Sequence, residues 1–140
     1  MNTGVLNISD GNEVQTEAFE ATTFTRAMSL GAGNVAITGI GFKPRAIIMF
    51  GSDASGGSRV YAGWGCQSTV GSGQGAGIFN NMGGTADNHH YTNDLVSLVP
   101  TVGEAYNCRI TSWDADGFTI NFSQTGSATD TNGYGFICFK

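Results

Sequence analysis

Between Tyr106 and Ser123 the side chains alternate with a period of two on both sides of a single turn, and few folds accept that pattern. Tyr106, Cys108 and Ile110 are separated by Asn107, Arg109 and Thr111, and beyond Asp114-Ala115-Asp116-Gly117 the residues Phe118, Ile120 and Phe122 are separated by Thr119, Asn121 and Ser123. Successive side chains of a strand point to opposite sides of its sheet, so each segment carries one apolar and one polar face. A short turn containing Asp-Gly joins such segments into an antiparallel hairpin. A lone hairpin is at best marginally stable in water, so a second layer has to cover its apolar face.

The rest of the chain supplies that layer. Val14 to Met28 mixes Phe19, Phe24 and Met28 with Thr22, Thr23 and Thr25, a β-type composition. Gly31 to Asn34 reads as a turn, and Val35 to Ile40 as a second strand. Pro44 biases Lys43 towards extended backbone, and Ala46 to Phe50 is an uninterrupted apolar run that must be covered on both faces. Arg59 to Gly65 is a short strand, Asp94 to Val99 a brief apolar element, and Tyr134 to Phe139 a closing strand apolar on both faces. Gly71 to Tyr91 is glycine-rich and shows no period, the mark of a long functional loop. These segments predict an all-β fold: an antiparallel β-sandwich or jelly roll of about seven to eight strands over residues 14–140, preceded by an extended N-terminal arm over residues 1–13.

Composition narrows the function. Only 12% of the residues are charged and 22 of 140 are glycine, which suits strands and turns and leaves a surface compatible with protein neighbours. The formal charge of −5 repels phosphate backbones, so nucleic acid is not an expected partner. No segment has the length and hydropathy of a membrane span, and Met1 to Asp10 lacks the pattern of a secretory signal, so folding in a cytoplasm is expected. Cys66, Cys108 and Cys138 are odd in number and lack metal-site spacing, which predicts reduced, partly buried thiols.

The motifs that carry chemistry elsewhere have plainer readings here. Asp114 to Gly117 begins like a calcium loop but lacks its third ligand and distal glutamate, so it reads as a hairpin turn. His89 and His90 are adjacent and would point to opposite sides of an extended chain. Gly31 to Ala36 fits a dinucleotide fingerprint without the helix it requires, and Gly51 to Ser58 has phosphate-loop glycines without the lysine. No Gly-x-Ser-x-Gly elbow or persuasive carboxylate pair occurs, so neither catalysis nor a cofactor is expected. The aromatics Trp64, Trp113, Tyr61, Tyr91, Tyr106 and Tyr134 divide between two roles, core packing and a sugar-stacking platform, with core the commoner.

The strand Gly41 to Ile48, the Trp64-Gly65 pair, the hairpin Ser112 to Phe122 and the closing strand Tyr134 to Ile137 together resemble small β-sandwich virion proteins of tailed bacteriophages, including capsid decoration or cement proteins and units of tail-associated proteins. The resemblance implies a particle component made in the bacterial host cytoplasm. A compact body plus an arm suits a decoration protein on the outer surface of a phage head, assembled as a homo-oligomer, with a trimer the first choice, and bound to the major capsid protein. Val5, Leu6 and Ile8 of the arm and Phe79, Met82, His89, His90 and Tyr91 of the glycine-rich segment are the expected contacts. The alternative is a carbohydrate-binding or receptor-binding module at a tail or fibre tip, and a polysaccharide-degrading enzyme comes third.

Overall fold

The computed structural model describes residues 2–9, 14–55, 60–70, 74–82, 85–87, 90–91, 94–127 and 129–140. For 2–9, 14–18, 60, 74–82, 85–87 and 90–91 it describes the backbone only.

The described residues form two antiparallel sheets. The strands are β1 (Asn2–Ser9), β2 (Val14–Ala27), β3 (Gly33–Thr38), β4 (Ala46–Asp53), β5 (Val60–Ser68), β6 (Gln74–Met82), β7 (Thr85–Asp87), β8 (His90–Tyr91), β9 (Val96–Thr101), β10 (Glu104–Asp114), β11 (Gly117–Thr125) and β12 (Thr131–Phe139). The larger sheet runs β1-β2-β12-β4-β5-β6-β7, with β8 also paired to β6; the smaller runs β3-β11-β10-β9. A 3-10 turn over Met28–Leu30 leads out of β2.

The predicted hairpin is present. Ala105 faces Thr125 at its open end and Asp114 faces Gly117 at the turn, with an irregularity between Ile110 and Ser112. The strand count exceeds the seven or eight expected because two segments without a period of their own pair with neighbours. Residues 2–9 of the expected arm are extended, and they form an edge strand along residues 14–21 of β2. The glycine-rich stretch contributes β6, whose Gly75 and Gly77 lie opposite Cys66 and Trp64 of β5. Pairing to an existing edge, not intrinsic propensity, makes these strands, since glycine weakens a strand taken alone. The apolar element after Asp94 is β9, which carries Pro100 on the edge of the smaller sheet, where a missing N–H is tolerated.

The core lies between the inner faces. Ile47 and Met49 of β4, Tyr134, Phe136 and Cys138 of β12, Phe118, Ile120 and Phe122 of β11, and Leu95, Val96 and Leu98 are all buried. Phe118 meets Phe136 edge to face across the two sheets, with ring centroids 5.1 Å apart at 83°. Phe24 stacks on Tyr134 at 5.2 Å, and Phe122 stands edge-on to Tyr134 at 5.5 Å. The Arg26 guanidinium sits 4.6 Å above the Phe122 ring and donates to the Gly31 carbonyl, so its half-buried charge has two partners. β9 closes one end of the sandwich at very short range: a Cβ on Gly63 would stand 2.2 Å from the Ser97 carbonyl oxygen.

Candidate functional site

Because residues directly opposite each other in a sheet share a face, the register assigns each side of β4 and β12. Inner Ile47 and Met49 of β4 alternate with outer Ile48 and Phe50; inner Tyr134 and Phe136 of β12 alternate with outer Gly133, Gly135 and Ile137. Across the outer face one row reads Thr23, Gly135, Phe50, Trp64, and the next reads Thr25, Gly133, Ser52, Ala62.

This geometry makes a trough. Gly133 and Gly135 leave the central strand bare, Thr23 and Thr25 form one wall, and Phe50 and Trp64 stand as a ridge on the other side. The open cavity measures about 680 Å³ and is lined mainly by apolar surface. Phe50 is 51% exposed, Trp64 49% and Ile48 36%, so the ridge is a contiguous apolar patch. Among the described residues its polar groups are the hydroxyls of Thr23, Thr25 and Ser52, and no charged side chain lines it.

Neither trough glycine is demanded by the backbone. Both lie within β12, and an added Cβ would meet only Ala54 Cβ at 3.5 Å from position 133 or Thr23 Cγ2 at 3.5 Å from position 135, ordinary van der Waals contacts. Absence of a side chain there shapes the surface rather than the chain path.

Of the aromatics considered as a platform, Trp64 alone among the described side chains stands exposed; Tyr61, Tyr106 and Tyr134 are core residues, and Trp113 packs half-buried against the core. The Tyr61 hydroxyl donates to Asn132 Oδ1 at 2.7 Å, and burial raises the Tyr134 phenol well above the usual tyrosine range. The structure places Val5, Leu6 and Ile8 on β1, Phe79 and Met82 on β6, and His90 and Tyr91 on β8, but their side chains lie outside the described residues, as does all of His89. Phe50 was not among the expected contacts. The signals for it were the two apolar faces of Ala46 to Phe50 and the glycines two residues apart in the closing strand.

The Asp-Ala-Asp-Gly turn has structural work for both carboxylates. Asp114 accepts hydrogen bonds from Ser112 Oγ and Thr119 Oγ1, each at 2.9 Å. Asp116 accepts from the backbone N–H of Gly39 at 3.0 Å and of Gly41 at 2.5 Å, tying the loop before β4 to the hairpin. Among the described residues no group of three or more His, Cys, Asp or Glu side chains converges as a metal site would require. Cys108 and Cys138 are buried, and burial pushes both thiols up to about 12; Cys66 is exposed on the outer face beside Ile48.

No protein-family model matches the chain, and no curated protein matches it. Among solved structures it is similar to the tailspike protein gp49 from Acinetobacter baumannii bacteriophage Fri1, a capsular polysaccharide depolymerase, at 13% identity and a TM-score of 0.36. That alignment covers 99% of this chain and 19% of the tailspike chain. A likeness of this degree carries no argument about the chain's activity.

Proposed function

We propose that the chain is a structural protein of a bacteriophage particle, of the capsid decoration type, and that it works by adhesion. The observation that carries this reading is the unequal character of the two outer faces. The larger sheet turns Ile48, Phe50 and Trp64 outward, whereas the smaller sheet turns out Asn34, Arg109, Thr111 and Asn121. A sandwich built this way has one side suited to water and one suited to a protein neighbour, because a contiguous apolar patch rimmed by polar residues marks an interaction surface. The resemblance of Gly41 to Ile48 and of the Ser112 to Phe122 hairpin to virion sandwiches supplies the kind of neighbour.

In this reading the apolar face is covered in the assembled particle, while edge strand β1, with Val5, Leu6 and Ile8, and the segment carrying Phe79, Met82, His89, His90 and Tyr91 reach the major capsid protein. Many copies each making weak contacts hold through multivalency. The test is electron microscopy and co-sedimentation of the purified chain with heads of its phage. Regular occupancy of the outer surface supports the reading, and heads left bare at saturating protein overturn it.

A second reading rests on Trp64 and Phe50, half-exposed rings beside hydroxyl-bearing Thr23, Thr25 and Ser52. Aromatic faces next to hydroxyls suit the apolar face of a sugar ring, which makes the trough a candidate glycan groove. Glycan-array binding that disappears in Trp64→Ala without loss of fold would favour this alternative.

A further inference from the structure

We infer that the trough and its ridge are the two halves of one self-complementary surface, and that a second copy of this chain occupies it in a twofold pair. The inference rests on the adhesive reading above and adds its partner, its symmetry and its contacting residues.

An isologous interface must present a feature and its complement on the same surface, because each copy offers the other what it receives. Here knob and hole are direct neighbours: Phe50 on β4 lies opposite Gly135 on β12. A twofold axis lying in the face and running between these two strands exchanges β4 with β12 and β5 with β2. It lays Phe50 of one copy over Gly135 of the other, and Trp64 over Thr23, in a single step. The same operation sets Ile48 over Ile137 and Cys66 over Ala21, since Ala21, Ile137, Ile48 and Cys66 form the next row. Packed sheets normally stand about 10 Å apart with interleaved side chains, and a bare strand facing an aromatic ridge leaves room for that interleaving.

Charge agrees with shape. A twofold axis brings a charged group that lies close to it near its own copy, so charge along the axis would oppose the pairing. The described residues lining the trough include no Lys, Arg, His, Asp or Glu, so pairing brings no like charges together among them.

The experiment uses the full chain in light scattering and sedimentation across a concentration series. A dimer is expected, weakened at least about tenfold by Phe50→Ser, which removes the knob, and by Gly135→Leu, which fills the hole. Val102→Ser removes an exposed apolar side chain away from the trough and should leave the dimer unchanged. Thermal unfolding of each variant checks the fold, and Phe50→Ser alters a half-exposed residue, so it reports even where Gly135→Leu fails to fold. Ala21→Cys together with native Cys66 should cross-link between copies with a short bis-maleimide, more efficiently than Cys66 alone. A monomer at every concentration, a trimer, or a dimer indifferent to both variants overturns the pairing, as does an oligosaccharide that binds a monomeric chain and quenches Trp64. A monomer that still decorates heads would remove the pair and leave the structural role; a pair that ignores heads would do the reverse.

Discussion

Phe50 and Gly135 face each other across the β4–β12 ladder, one exposing half of an aromatic ring to the outside and the other exposing no side chain at all. This juxtaposition turns an otherwise continuous sheet surface into a ridge beside a trough, and it separates glycines that shape a surface from glycines that the backbone requires.

That separation is measurable. Gly135→Ala places a Cβ 3.5 Å from Thr23 Cγ2, an ordinary contact, and narrows the unfolded ensemble, so stability should hold or rise by about 0.4–1 kcal/mol. Gly63→Ala places a Cβ 2.2 Å from the Ser97 carbonyl oxygen, which must move together with β9, so a loss of at least about 1–3 kcal/mol is expected. Urea denaturation of the two variants decides the matter, and similar losses for both would contradict it.

The three thiols should behave unequally. A maleimide reagent applied to the native chain, diluted below the concentration at which the pair forms, should label exposed Cys66 rapidly, and label Cys108 and Cys138 only after unfolding. The same burial predicts instability in alkali. Cys108 is held neutral to about 12 in the fold, so at pH values between the ordinary thiol range and that value the unfolded chain has lost a proton that the native chain keeps. Stability therefore falls as pH rises through this window, by up to about 4 kcal/mol from Cys108 alone. Replacing Cys108 with Ala removes this contribution, at the cost of a small cavity. A denaturation midpoint constant from pH 8 to pH 11 would contradict the assignment.

Asp94 gives the opposite kind of test. Burial raises its carboxyl above the usual aspartate range, and Arg109 only partly opposes the shift. The native state then holds its proton more tightly than the unfolded state, so this group's contribution is present below its unfolded pKa and is lost as pH rises through the raised value. Asp94→Asn should accordingly stabilise the chain at neutral pH, with the gain shrinking as the solution is made acidic. A variant less stable than the parent at pH 7 would show that the carboxylate has a partner which outweighs its desolvation.

Much of the sandwich was legible in the sequence because its strands carry their own period. Tyr106 to Ser123 encodes both faces and the turn, and Tyr134 to Phe139 encodes a strand apolar on both faces, which the larger sheet holds as an interior strand between β2 and β4. Residues 2–9 and the glycines of β6 were not legible as strands, since their extended state depends on a neighbour's edge and not on local pattern. The trough was half legible. Phe50 and Trp64 could be seen as apolar residues without an assigned cover, but their meeting on one row with Gly135 and Thr23 depends on a register among four strands that no local motif specifies.

The Asp116 turn offers a test of how the two sheets are held in relation to each other. One carboxylate oxygen accepts the Gly39 N–H and the other the Gly41 N–H, and the Asp116 carbonyl accepts the N–H of Ile40 between them at 3.3 Å. Three consecutive amides of the segment from β3 to β4 are thereby fixed to the hairpin turn, and Ile40 and Phe42 are pressed into the core. Asp116→Ala removes two of these acceptors and leaves the carbonyl, so a loss of about 1–2 kcal/mol is expected, with Asp116→Asn falling between because its amide retains one acceptor. Hydrogen exchange should speed most at Gly39 and Gly41 and least in the β10–β11 ladder, since the hairpin does not need this loop in order to pair. Uniform acceleration across both sheets would mean that the turn instead governs global stability, and added calcium that protected Gly39 and Gly41 in the parent chain would restore the ion-binding reading of the Asp-Ala-Asp-Gly sequence.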